Sequence, residues 1–109
     1  IDYGVTITGS SDVPCTNSFD AADVFIGIDA VVNRTKWLPE ESVTPYEALE
    51  MYTINAAYAA FEEDVKGTLE EGKLADFVIA TGNPLQEGIS IKDIKVAQTY
   101  MGGIKVYEA

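Results

Sequence analysis

Gly67-Thr68-Leu69-Glu70-Glu71-Gly72-Lys73-Leu74-Ala75-Asp76-Phe77-Val78 ("GTLEEGKLADFV") is the stretch whose reading decides the fold. Two glycines are spaced for turns, and a charged segment lies between them. The run Leu74–Ala80 that follows is short and apolar, as a strand requires, and Gly82-Asn83-Pro84 ends it. A phosphate-loop reading of Gly72-Lys73 fails, because the glycine spacing is wrong and no helix opens after it. Lys73 and Asp76 therefore read as turn or strand-edge groups.

Downstream, Ile94–Met101 alternates moderately, Gly102-Gly103 is a two-residue hairpin signal, and Ile104–Tyr107 returns. The last third is thus predicted to be a small sheet with a hairpin. Upstream, Thr44-Pro45-Tyr46-Glu47 has an N-cap, a proline at the first helical position and the acid of a capping box. A weak staple between Val43 and Ala48 fits the same start. The helix continues through residues 46–64 with Ala48, Leu49, Tyr52, Ala56 and Ala59 or Ala60 on its buried side. Thr53 and Asn55 compete for backbone hydrogen bonds and are expected to break it in two. Tyr46, Tyr52 and Tyr58 recur every six residues, which traces no helical face, so each reads as an individual packing residue.

Residues 21–34 place Ala21, Val24, Phe25, Ile28, Val31 and Val32 at helical spacing. Asp20 is placed to cap that helix, Gly27 weakens it slightly, and Arg34 suits its C-terminus. Residues 4–8 read as a strand with no nearby partner in sequence, and an isolated strand must pair somewhere. We therefore expect the chain to belong to something longer.

Composition narrows the function classes. The 109 residues suffice for one small domain, and 47% hydrophobic content is ordinary for a globular chain. Eighteen acids against seven bases give a net charge of −11. That charge opposes nucleic acid and anionic membranes. No apolar stretch reaches spanning length and no signal-peptide pattern is present, so a cytoplasmic location is expected. Histidine is absent, and Cys15 is the one cysteine. Cys15 cannot make an internal disulfide or a zinc cage, lacks a histidine base, and reads as a small packing residue. Glu62-Glu63-Asp64 reads as a solvated acidic turn.

The remaining feature is Thr8-Gly9-Ser10-Ser11-Asp12-Val13-Pro14. An acid follows a strand-like run in a turn of small residues closed by Pro14. Sheet ends of this kind are where α/β enzymes place their chemistry. Without histidine, Ser10 and Ser11 have no base to activate them, so they serve to orient the Asp12 loop by hydrogen bonding. Pattern alone leaves Asp12 open as a loop acid that merely caps a turn.

Together these residues resemble the C-terminal part of an amidohydrolase-superfamily enzyme, of the amidohydrolase-3 branch typified by N-substituted formamide deformylase. The resemblance rests on Gly9–Pro14, Leu38–Glu41, Thr44–Leu49, Tyr52–Tyr58, Gly67–Val78 and Thr99–Gly103. It implies an α/β chain with two parts. Residues 1–64 would be the last strand and helices of a metal-dependent hydrolase TIM-like barrel. Residues 65–109 would be the C-terminal strands of a small composite β-sandwich. It implies further that Asp12 is both catalytic base and metal-facing ligand, that the metal is a divalent ion, zinc by preference, and that the substrate is a small amide, formamide or cyclic amide. The family's histidine ligands have no counterpart here, so the chain by itself is expected to bind no metal and to be inactive. It is expected to self-associate through surface that a longer enzyme would cover. The alternative is a non-catalytic module that self-associates or binds a partner.

Overall fold

The computed structural model describes residues 1–13, 15, 19–35 and 37–109, apart from the side chains of Phe19 and Ala21. The expected turn closure by Pro14 and the packing of Ala21 lie outside the described parts. The order of elements is a 3-10 turn (Phe19–Ala22), α1 (Val24–Val32), a second 3-10 turn (Pro39–Glu41), α2 (Pro45–Tyr52), α3 (Ile54–Ala59), β1 (Phe77–Ala80), a third 3-10 turn (Ile91–Asp93), β2 (Val96–Met101) and β3 (Ile104–Glu108).

Helix α1 starts later than the periodicity predicts. Asp23, not Asp20, is its N-cap, and its Oδ1 accepts from Phe25 N at 3.1 Å. Asp20 instead sits in the preceding 3-10 turn, where its carbonyl accepts from Asp23 N at 3.0 Å. Phe25 and Ile28 are buried as expected. Arg34 lies past the helix end, and its Nε donates to Trp37 O at 3.1 Å.

The capping box of α2 is complete. Thr44 Oγ1 accepts from Glu47 N at 3.2 Å, and Glu47 Oε2 accepts from Thr44 N at 2.7 Å. Those bonds to Thr44 hold the Glu47 carboxyl below its usual range. Thr53 breaks the long helix as predicted, with its hydroxyl donating back to Leu49 O at 2.7 Å. Asn55 does not break anything; it lies inside α3. Met51 and Ala57 are buried, whereas Ala59 and Ala60 are exposed, because the break at Thr53 rotates the buried face. Tyr46 and Tyr58 are exposed rather than packed, which leaves Tyr52 as the tyrosine of the three that packs.

The sheet is antiparallel in the order β1-β2-β3. Phe77 pairs with Tyr100, and their rings stack at 4.6 Å between centroids. Gly102 and Gly103 take φ of 56° and 78°, the left-handed pair that a tight hairpin needs. The Gly67–Val78 stretch explains itself locally. Lys73 Nζ binds Thr68 Oγ1 at 2.8 Å and Glu70 at 3.0 Å, and the Thr68 hydroxyl also donates to Glu70. These partners lower the Glu70 pKa, the Thr68 bond contributing most. Gly102 N donates to Asp76 Oδ1 at 2.7 Å, and Gly103 N to Ala75 O at 2.9 Å. The strand itself begins at Phe77: Leu74 N donates to Val65 O at 2.8 Å, and Ala75 and Asp76 hold the hairpin.

Phe25, Ile28, Ala48, Ile91 and Ile94 form the core, with Val43, Leu49, Tyr52, Ala80 and Val96 packed against it. Helices and sheet meet at the base of β1 and β2, and part above it. Between them runs an apolar cleft of 780 Å³, lined by residues that include Leu49, Ala56, Ala57, Leu69 and Phe77. The chain exposes 7854 Å². A self-contained monomer of 11.8 kDa is expected to expose roughly 5,900 Å². The surplus includes apolar residues such as Phe61, Met101 and Ile104.

The expected strand over residues 4–8 is not formed. The segment has no ladder partner among the described residues, and a lone strand cannot satisfy its backbone. It lies instead against the α2–α3 junction, as described next.

Candidate functional site around Asp12

Two polar bonds hold the run that leads to Asp12. Gly9 N donates to Met51 O at 2.9 Å, and Asn55 Nδ2 donates to Ile7 O at 3.0 Å. Met51 O is free to accept because α2 stops one residue later, and end carbonyls have no helical partner. The Tyr52 ring lies directly on Gly9. A Cβ built there would sit 2.6 Å from Tyr52 Cζ and 2.7 Å from Cδ2, which no side chain tolerates. The opposite edge of the same ring meets Gly27 of α1, where a Cβ would clash with the Tyr52 hydroxyl and lie 3.1 Å from Cζ. Gly27 is therefore a close-approach residue, not merely a weak point in a helix.

Asp12 is exposed and takes φ 51°, a left-handed conformation that aspartate tolerates better than most residues. Ser10 Oγ accepts from Asp12 N at 3.4 Å and Ser11 Oγ from Val13 N at 3.5 Å. The serines thus act on the loop as expected, through long bonds. Cys15, expected to pack, is exposed.

No group of three or more potential metal ligands is present among the described residues. With no histidine in the sequence, Asp12 brings one carboxylate to a site that needs three or four ligands. This donor set does not fit a metal without ligands from elsewhere. Among the described residues no helix is long and apolar enough to cross a membrane.

Asp12 is the candidate site residue that the sequence singles out. Gly9, Gly27, Tyr52 and Asn55 are not singled out, because close approach of a ring to two glycines 18 positions apart leaves no local pattern.

Comparison with known proteins places the chain in a class. The structure matches that of an amidohydrolase from Thermotoga maritima MSB8 with a TM-score of 0.74 at 22% identity, over 99% of this chain and 24% of that one. The likeness establishes the fold of this portion. The profile of the amidohydrolase family matches residues 1–107, and the chain belongs to that family. N-substituted formamide deformylase of Arthrobacter pascens is 33% identical over 99% of this chain and 20% of its own length. Protein LONG AFTER FAR-RED 3 of Arabidopsis thaliana is 42% identical over 65% of this chain and 12% of its own length. The chain thus spans about a fifth or less of the curated relatives it matches.

Proposed function

We propose that these residues form the C-terminal share of a metal-dependent amidohydrolase that cleaves a non-peptide C–N bond in an amide, formamide or cyclic amide. The observation that carries the reading is the family match across residues 1–107, with Asp12 presented at the outer end of the anchored run. In this reading residues 1–64 complete a TIM-like barrel and residues 65–109 contribute to a composite sandwich.

Asp12 is the general base. It accepts a proton from the attacking water and returns it to the departing nitrogen, so one carboxylate serves both steps. A divalent metal, zinc by preference, would face Asp12 and take its other ligands from chain outside these residues. Such an ion, when bound, brings the pKa of its water towards neutrality. The isolated chain, with Asp12 alone at the site and no histidine, is inactive.

The large exposed surface favours a second reading, a module that self-associates or binds a partner without catalysis. Assay of the longer enzyme on N-substituted formamides, with and without Asp12→Asn, separates the two. Hydrolysis abolished by that substitution supports the enzyme. Absence of any amide hydrolysis by the metal-loaded wild type supports the module.

A further inference from the structure

Among the described residues the Asp12 carboxylate accepts no hydrogen bond. Its loop is tied by bonds of 3.4 and 3.5 Å, and its backbone is in a sparsely populated conformation. A general base must nonetheless lie within about 3 Å of the proton it takes, and a displacement near 1 Å costs roughly a hundredfold in rate. The ties at the base of its loop therefore bear directly on where Asp12 sits.

That base is fixed at alternate residues of one extended run. Ile7 is held through its carbonyl by Asn55, and Gly9 through its N–H by Met51 O, with the Tyr52 ring seated on Gly9. The ring cannot retreat, because Gly27 of α1 lies at its other edge. Asn55 and Tyr52 thus act from opposite sides of the α2–α3 junction on residues three and five positions before Asp12. We infer that Tyr52 and Asn55 are positioning residues for Asp12, acting through Gly9 and Ile7. This rests on the assignment of Asp12 as general base.

The chemistry separates their contributions. Asn55 works through one amide donor, so Asn55→Ala deletes it with little loss of packing. Tyr52 works through its ring, so Tyr52→Phe keeps the contact with Gly9 and Tyr52→Ala removes it.

The test is made on the longer enzyme that contains this chain, with two readouts. Amide hydrogen exchange reports the anchoring itself, and steady-state kinetics report its consequence. In Asn55→Ala and Tyr52→Ala we expect exchange at Gly9–Val13 to rise about tenfold or more, with β1–β3 unchanged. We expect kcat to fall roughly 10- to 100-fold, KM to stay within about threefold, and Tyr52→Phe to restore near wild-type values. Unchanged exchange at Gly9–Val13 in both alanine variants overturns the anchoring. Faster exchange with unchanged kcat overturns the positioning role. A wild type that hydrolyses no amide overturns the assignment of Asp12, while the exchange result still decides whether Tyr52 and Asn55 hold its loop. Asn55→Ala keeps the test available if Tyr52→Ala does not fold.

Discussion

Asp76 Oδ1 accepts a hydrogen bond from Gly102 N at 2.7 Å, tying the entry of β1 to the tip of the β2–β3 hairpin. Gly103 N reaches Ala75 O beside it. Asp76→Ala should therefore cost about 1 kcal/mol by deleting a bond to an exposed carboxylate. Gly103→Ala should cost about as much for a different reason. Its Cβ would have room, 3.8 Å from Ala75 Cβ, but φ is 78°. Urea unfolding followed by circular dichroism measures both. A neutral Gly103→Ala would contradict the left-handed hairpin.

Gly27→Ala gives opposite expectations in sequence and in structure. Helix propensity predicts a gain of about 1 kcal/mol from replacing glycine. The Tyr52 hydroxyl end occupies the space the new methyl would need, and Gly9 blocks the ring from the other side. Overpacking of this kind costs about 1–3 kcal/mol. The net prediction is destabilisation, read as a lower urea midpoint. A raised midpoint would show that α1 and the Tyr52 ring are not in this contact.

Acid should weaken the joint between α1 and the sheet. Lys95 Nζ lies 2.9 Å from Asp23 Oδ2, and this bond, with the capping bond to Phe25, lowers the Asp23 pKa from its ordinary 3.8. A depressed carboxylate stabilises the fold above its unfolded pKa, and the contribution is lost as pH falls through the folded value. The pair should thus contribute fully at neutral pH and fade below about pH 4. Lys95→Ala should raise the Asp23 pKa, followed by NMR titration of the side chain, and cost under about 1 kcal/mol at pH 7. An unmoved Asp23 titration would contradict the pair.

The exposed apolar surface predicts association. Phe61, Met101 and Ile104 are 91%, 65% and 71% exposed, and the cleft lined by Leu49, Ala57 and Phe77 adds further apolar surface. The chain by itself should sediment as dimers or larger species at tens of micromolar, a range in which analytical ultracentrifugation distinguishes them from monomer. A single monomer boundary across that range contradicts the expectation.

Much of this was legible in the sequence because it is local. The Thr44-Pro45-Tyr46-Glu47 box, the break at Thr53 and the Gly102-Gly103 hairpin each depend on neighbours within a few residues. The start of α1 was misplaced because Asp20 and Asp23 are both good caps, and what distinguishes Asp23 is Lys95, 72 positions away. Residues 4–8 have strand composition, but strand formation needs a partner that the described residues do not supply. Asp12 was visible as an acid after such a run. The residues that hold its loop were invisible, because Tyr52 draws its role from two glycines in other segments.

The central claim is that Asp12 is the base of an amide-hydrolysing enzyme. The most direct measurement is the hydrolysis rate of the longer, metal-loaded enzyme on an N-substituted formamide, wild type against Asp12→Asn. Loss of a general base typically costs about 10²- to 10⁴-fold. The account predicts a fall of kcat in that range, with circular dichroism and urea midpoint unchanged. An Asp12→Asn enzyme as fast as wild type would contradict it.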